Sequence, residues 1–325
     1  MLDLDGKGEL IVIALGGNAF LQRNEKGTVE EQWRNVYAAA KQIVDLVKNG
    51  YKVVVTHGNG PQVGNVMEWM EALKDKIPPL TMDIAGAMTQ GWIGYMLQQA
   101  IQNVLIDENL DHRYRVVTLI NQVEVKKDDP AWKNPTKYVG PYYYNEAEIK
   151  KIAEEKGWTV KADPRGGFRR VVPSPDVLDN IEKEAIKLLY ENDFIVIASG
   201  GGGIPVVKDE KGKVSGREAV IDKDLGGQLL ASVVGADIFV ILTDVEGAYL
   251  NYGKPDQKLL RELTVSEAKK LLDQGVFGSG SMGPKVKAAI RFAERTGKPA
   301  YIGHLYKLKE ILEGKSGTKI VADKK

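Results

Sequence analysis

The sequence predicts an α/β fold built on a parallel sheet, and three observations predict it. Short apolar strands alternate with helical segments through most of the 325 residues. The first strand, Leu10–Leu15 (LIVIAL), is apolar at every position, which suits a strand covered on both faces. Three strands also run directly into glycine-rich turns: 10–15 into Gly16-Gly17-Asn18, 51–56 into His57-Gly58-Asn59-Gly60, and 194–198 into Ser199-Gly200-Gly201-Gly202-Gly203. Glycine lets a backbone turn sharply and brings its N–H groups close to a ligand. Bare N–H groups at the C-terminal edge of a parallel strand form an anion cradle. Three such turns together point to a polyanionic ligand.

After the first turn, Thr28 and Glu31 have capping-box spacing and open a helix over Val29–Lys48. Trp33, Val36, Tyr37, Ala40, Ile43, Val44 and Val47 form its apolar face, and Asn49-Gly50 ends it. With strand 51–56 this makes a βαβ unit. A second helix starts near Pro61-Gln62-Val63, and 81–106 reads as a long helix carrying Gly86, Gly91 and Gly94 beside Met88, Trp92, Tyr95 and Met96. Glycine inside a helix costs roughly 1 kcal/mol against alanine, so close helix approach is the expected use, either in the core or at a subunit interface. Residues 116–125 read as one strand. Residues 126–175 then break the rhythm with prolines, aromatics, lysines and one short helix near Glu146–Lys156, the composition of a lid.

The βα rhythm resumes with a helix over 177–191, the strand at 194–198, a hairpin over 208–216, a helix over 225–234, and a strand over 236–243. A loop follows over 244–253, and Thr264 with Glu267 caps a helix ending near Gln274. The loop GSGSMG at 278–283 leads to Pro284 in a first helical turn. A strand over Ala300–His304, a short helix over 306–313 and a strand over Thr318–Val321 close the chain. Two α/β halves, 1–175 and 176–325, are expected.

Lys plus Arg number 45 and Asp plus Glu 44, a balance that argues against general nucleic-acid binding. There is no cysteine, which excludes disulfides, thiolate zinc sites and cysteine nucleophiles, and the three histidines are few for a metal site. No 18-residue apolar run suggests a membrane span. The polar start MLDLDGKGE does not read as a signal peptide, so a cytoplasmic protein is expected.

The chemistry is read from the lysines. No GxxxxGK[ST] or GxSxG motif occurs, and the three glycine turns after the strands are not the GxGxxG dinucleotide fingerprint. His57 is the one histidine near a turn and reads as a structural side chain. Lys223 lies between two aspartates in AVIDKDL, Lys285 follows GSGSMGP, and Lys127 opens the lid, each beside a loop break. Phosphoryl transfer needs this kind of site, because positioning and charge neutralisation do most of the work.

The motifs VIALGGNA, THGNGPQVG, MDIAGAMTQGWIGY, DPAWKNPTKYVGP, RRVVPSP, IVIASGGGGIPV, AVIDKDL, ILTDVEGAY and GSMGPK run nearly end to end. In these the chain resembles the carbamate kinases of the amino-acid-kinase superfamily. The resemblance implies a three-layer αβα sandwich around an open, mainly parallel eight-stranded sheet, with a protruding lid subdomain, 126–175. The N-terminal half would bind carbamate and the C-terminal half the nucleotide. It implies Mg²⁺-dependent exchange of ATP and carbamate with ADP and carbamoyl phosphate, and a homodimer through the 81–106 helix. Carried over by motif, Gly16, Gly17 and Asn18 would face the transferring phosphoryl group, and Gly58, Asn59 and Gly60 would complete the carbamate pocket. Lys127 and Lys223 would neutralise phosphoryl oxygens, and Asp224 would orient Lys223 and order Mg²⁺ waters, with no direct protein ligand to the metal. Ser199, Gly200 and Gly201 would hold ADP phosphates. Thr243, Asp244, Tyr249, Met282, Pro284 and Lys285 would line the nucleotide pocket, with Lys285 also acting in catalysis. An acetylglutamate-type acid kinase and a non-catalytic anion- or nucleotide-binding module are the alternatives. Retention of all three lysines argues against the second.

Overall fold

Leu10–Leu15 lies inside an eight-stranded sheet with all six residues buried. The computed structural model describes residues 8–22, 25–163, 166–278 and 282–324. Across the sheet the strands run Glu262–Thr264, Thr318–Val321, Ala300–His304, Ile238–Thr243, Leu10–Leu15, Lys52–His57, Phe194–Ile197 and Arg115–Thr118. The last six are mutually parallel, and Thr318–Val321 runs against Ala300–His304 with Glu262–Thr264 parallel to it.

Alternation within the strands sorts the core into two layers. Ile11, Ile13, Leu15, Val53, Val55, Ile195, Ile197, Val240 and Leu242 face the helices Val29–Lys48, Met82–Asp107 and Leu308–Leu312. Leu10, Val12, Ala14, Val54, Val196, Phe239 and Ile241 face Lys183–Glu191, Lys223–Val234, Val265–Asp273 and Gly283–Thr296. The result is the three-layer αβα sandwich, with the mainly parallel eight-stranded sheet as its middle layer. Both capping boxes form, at Thr28 with Glu31 and at Thr264 with Glu267.

Two local expectations are corrected and a third is narrowed. Residues 116–125 are not one strand: Arg115–Thr118 stays in the main sheet, and Gln122–Val125 enters a second sheet with Val177–Asn180, Ile204–Lys208 and Val214–Gly216. The chain breaks between them because Asn121 turns inward and spends its side chain on buried hydrogen bonds. Residues 177–180 are therefore strand, and the helix expected over 177–191 begins only at Lys183. Of the three helical glycines at 86, 91 and 94, only Gly94 meets a neighbour: a Cβ there would fall 2.2 Å from Thr118 Cγ2, on an edge strand rather than a helix. Gly86 and Gly91 have nothing within 4 Å of that position among the described residues.

The 126–175 excursion leaves and rejoins the core through the antiparallel pair Gln122–Val125 and Val177–Asn180. Within it the helix Glu146–Lys156 packs with a three-stranded antiparallel sheet, Lys137–Tyr143, Phe168–Val172 and Thr159–Ala162. Aromatic and proline richness hid that sheet from a reading by composition. Val139 and Val172 from its inner face pack with Met82, Val220 and Met67 of the main body.

The helix Lys223–Val234 is seated by glycine on glycine. A Cβ on Gly226 would stand 2.4 Å from the Gly202 carbonyl oxygen and 2.7 Å from its Cα, both backbone atoms that cannot step aside. Gly226→Ala should therefore lower stability by about 1–3 kcal/mol, read as a reduced urea midpoint with an unchanged slope.

Candidate active site

Lys223 opens its helix behind Asp222, the N-cap, whose carboxylate accepts from the N–H groups of Asp224 and Leu225 at 2.9 and 3.3 Å. Lys223 Nζ then donates to Asp224 Oδ1 at 2.7 Å. Lys285, in the first turn of Gly283–Thr296, donates its Nζ to Asp224 Oδ2 at 3.2 Å. One buried carboxylate thus joins two ammonium groups from two helices. A third cation arrives from the lid, where Lys137 Nζ donates to Asp222 Oδ2 at 3.0 Å.

Around this cluster the turns abut one another. The Lys223 stem passes over Gly58, where a Cβ would fall 2.9 Å from Lys223 Cδ and 3.5 Å from the Gly17 nitrogen. A Cβ on Gly16 would fall 3.0 Å from the Leu242 carbonyl oxygen and 3.9 Å from Thr243 Cα. The first turn therefore sits between the second turn and the Thr243-Asp244 loop, at the C-terminal edge of the sheet. This is where open α/β sheets bind their ligands, at a reversal of strand order. The N–H groups of Gly16, Gly17, Asn59, Gly60, Gly200 and Gly201 have no acceptor among the described residues. Such groups attract anions.

Burial alone would push the Asp224 carboxyl up, but the Lys223 and Lys285 ammoniums beside it hold it well below the usual carboxylate range. For Lys223 burial is the largest influence and lowers its pKa, while Asp224 opposes the loss of charge. Asp222 is half-buried, which raises its carboxyl, and Lys137 beside it outweighs that and keeps it low. His57 behaves differently. Burial pushes its imidazole down to about 4, so it is neutral at physiological pH.

The third turn is anchored from below. Ser199 adopts a left-handed backbone, φ 52°, and its hydroxyl donates to Asn121 Oδ1 at 2.6 Å while accepting from Asn180 Nδ2 at 2.9 Å. Gln90 Nε2 donates to the carbonyls of Asn121 and Gly200 at 3.1 and 2.9 Å. The Ser199 side chain is thus consumed inside the protein. What the turn offers outward is backbone.

The structure brings together Gly16, Gly17, Gly58, Lys223, Asp224 and Lys285, with Asn59 packed under Gly201. Asn18 lies in the turn Gly17–Ala19, but its side chain is outside the described set. Thr243 is buried and donates to Asp244 Oδ1 at 3.1 Å, Asp244 itself is exposed, and Tyr249 leans on Tyr252. Met282 and Pro284 lie at the start of the Lys285 helix. Lys127 is exposed, with no hydrogen bond or ion pair among the described residues. The lid lysine that reaches the cluster is Lys137, which sequence reasoning passed over inside PTKYVGP. Its signal was alternation: on a strand, Lys137 shares a face with Val139, and that face points inward. Asp222 and the Asn121 network were also missed, since neither has a motif of its own.

No three acidic or histidine side chains gather into a metal cage among the described residues. Asp222 and Asp224 are the carboxylates at the cluster, and both are engaged by lysines. That donor set fits a Mg²⁺ held mostly by phosphate oxygens and water, the usual arrangement beside a nucleotide.

The chain matches the sequence model of the Amino acid kinase family over residues 9–304. A carbamate kinase of Pyrococcus furiosus is 54% identical across 97% of this chain and 99% of its own length. A solved carbamate kinase of Giardia lamblia bound to AMP-PNP superposes with a TM-score of 0.90 at 44% identity, covering 98% of this chain and 100% of that one. An N-acetylglutamate synthase of Neisseria gonorrhoeae, 14% identical with a TM-score of 0.60, shares the fold alone. The chain belongs to the amino acid kinase family. Within that family it is an enzyme of the carbamate kinase group. Among its described residues no helix is long and apolar enough to cross a membrane.

The buried His57 ties stability to pH. An unfolded imidazole titrates near 6.5 and the folded one near 4, so its contribution is complete above about 6.5 and is lost as pH falls towards 4. The loss across that window is about 3 kcal/mol. His57→Asn should remove this dependence, seen as a flatter plot of melting temperature against pH between 6.5 and 4 than in the parent. Parallel plots would contradict it.

Proposed function

We propose that the chain catalyses reversible, Mg²⁺-dependent phosphoryl transfer, in which ATP and carbamate exchange with ADP and carbamoyl phosphate. The observation that carries the proposal is the Lys223–Asp224–Lys285 bridge lying against two glycine turns, with a lid lysine one residue away on Asp222. A carbamate oxygen attacks the γ-phosphorus as the bond to the β,γ-bridging oxygen breaks and ADP departs. Carbamate is already an anion with a nucleophilic oxygen, so no proton has to move and no general base is needed. What the protein must supply is alignment and positive charge on the transferring group.

In this reading Gly16, Gly17, Asn18, Asn59 and Gly60 hold carbamate and the moving phosphoryl group by their N–H groups, and Gly58, whose N–H is donated to the Leu15 carbonyl, leaves room for the Lys223 stem beside them. Lys223 and Lys137 neutralise its oxygens, and Asp224 aims Lys223 and opposes the loss of its charge. Gly200 and Gly201 present N–H groups to the nucleotide phosphates, which Lys285 also meets. Thr243, Asp244, Tyr249, Met282 and Pro284 line the rest of the nucleotide site. Asp224 would help hold Mg²⁺ through water, and the ion, when bound, would supply screening of the phosphate charges. The lid excludes water from a substrate that hydrolyses readily and strengthens the charge interactions beneath it. Lys137→Ala should lower the kcat for ATP formation from ADP and carbamoyl phosphate by roughly 10²-fold, with ADP affinity by calorimetry nearly unchanged. Lys127→Ala should act far more weakly. The reverse ranking would return the lid's catalytic charge to Lys127.

A homodimer completes the proposal. On the helix Met82–Asp107, Ile84, Met88 and Tyr95 are 42%, 46% and 60% exposed and share one face, with Gly91 open between them. Trp69, also exposed, stacks on Trp92 at 5.9 Å beside that face. Such a stripe supports a second copy packed closely at Gly91. Met88→Glu should convert the native dimer to monomer in light scattering; a native that is already monomeric, or a variant of unchanged mass, would remove this interface.

A further inference from the structure

His57 ends the strand Lys52–His57, and its imidazole is buried where the three glycine turns converge. It touches each of them. Nδ1 lies 3.0 Å from the Gly58 carbonyl oxygen in the second turn. The ring meets Phe20, the residue that closes the first turn, edge-on with 5.8 Å between centroids. Its Nε2 and Cε1 occupy the space a Gly200 Cβ would need, at 2.5 and 2.6 Å, so the third turn closes directly on the ring.

A carbonyl oxygen can only accept. Nδ1 therefore carries the proton, and in the neutral ring Nε2 is bare. The Gly58 carbonyl belongs to the same planar trans peptide as the Asn59 N–H, and in such a peptide the two bonds point in opposite directions. Fixing the oxygen towards the ring aims the Asn59 N–H away from it. That N–H has no acceptor among the described residues. Gly58 is also the residue over which the Lys223 stem passes. Rotation of its peptide would disturb both the N–H and the ammonium that serve one ligand.

We infer that His57 is a positioning residue for phosphoryl transfer. It pins the peptide joining Gly58 to Asn59, and so sets the direction of the Asn59 N–H and the seat of the Lys223 stem, without touching substrate. The inference rests on the reading of Gly58, Asn59 and Lys223 as the phosphoryl and carbamate site. A histidine that merely filled space could be replaced by any apolar side chain of similar size. One that pins the turn can be replaced only by a side chain that donates from the same place. Asparagine does so, because its Nδ2 is bonded to Cγ as the imidazole Nδ1 is.

The test compares His57→Leu, His57→Asn and Lys223→Ala in the assay of ATP formation from ADP and carbamoyl phosphate, with ADP binding followed by calorimetry. His57→Leu should lose roughly tenfold or more in kcat while its ADP dissociation constant moves less than about twofold. His57→Asn should recover most of the lost kcat. Equal kcat in the leucine and asparagine variants, or a leucine variant at the parental rate, overturns the role. Should either occur while Lys223→Ala is still crippled, the site reading stands and only the inference fails. Normal turnover in Lys223→Ala removes the reading beneath it. Where the leucine variant does not fold, the tautomer decides. In protein labelled with ¹⁵N-histidine and carrying His112→Gln and His304→Gln, long-range ¹H–¹⁵N spectra should show His57 neutral with the proton on Nδ1. A proton on Nε2 overturns the inference.

Discussion

The site depends on one buried carboxylate placed between two ammonium groups. Two unit charges about 4 Å apart interact by about 4 kcal/mol at the effective dielectric of a protein, around 20. Without Asp224, Lys223 and Lys285 would be left to repel each other, and burial would favour loss of a proton from Lys223. With it, the Lys223 ammonium has a partner that opposes the effect of burial, in a place from which water is largely excluded. The rest of the structure can be read as holding those three groups in register. Gly226 against Gly202 seats the helix of Lys223, and Gly58 makes room for its stem. The helix of Lys285 is tied to the root of the lid by Arg291, which donates from both terminal nitrogens to Asp176 at 2.8 and 2.7 Å.

The same groups explain why acid–base machinery is missing from the proposed mechanism. Asp224 stays ionised far below neutrality and His57 stays neutral far above its folded pKa. Neither is poised near 7 to exchange a proton. A reaction between a preformed oxyanion and a phosphoryl group asks instead for fixed dipoles and cations that need no reorganisation. In the proposed mechanism the glycine turns provide the dipoles and the lysines the cations, Lys137 among them. The 126–175 segment has a second tie to the main body in the 2.6 Å pair of Lys156 with Glu71.

Much of this was legible in the sequence because the main sheet is local in its logic. Each parallel strand is a short apolar run, and its glycine turn follows immediately, so the strands, their turns and the helix of Lys223 could be placed from pattern alone. Lys223, Asp224 and Lys285 were legible because each abuts a break in that pattern. What was hidden depends on contacts between distant segments. Lys137 and Asp222 are 85 positions apart, and nothing in either segment announces the other. Lys127 stands out in the sequence because it opens the excursion, whereas the contact of Lys137 with Asp222 comes from the inward face of a strand ten residues later. The motif resemblance placed Ser199 among the phosphate-binding residues, and its hydroxyl is engaged by Asn121 and Asn180. The break at Asn121 was likewise invisible, since the apolar residues on either side of 119–121 read as one continuous strand.

The central claim is that charge placement, not proton transfer, drives the chemistry. The direct measurement is the single-turnover rate of ATP formation from bound ADP and carbamoyl phosphate at saturating Mg²⁺ between about pH 7 and pH 8.5, a range above the titration of an ordinary histidine and below that of an ordinary lysine. The account predicts a rate constant that stays within about twofold across the range, because no catalytic group changes its charge there. A rate that instead changes about tenfold per pH unit would mean that the step depends on a group that titrates within this range, and would contradict it.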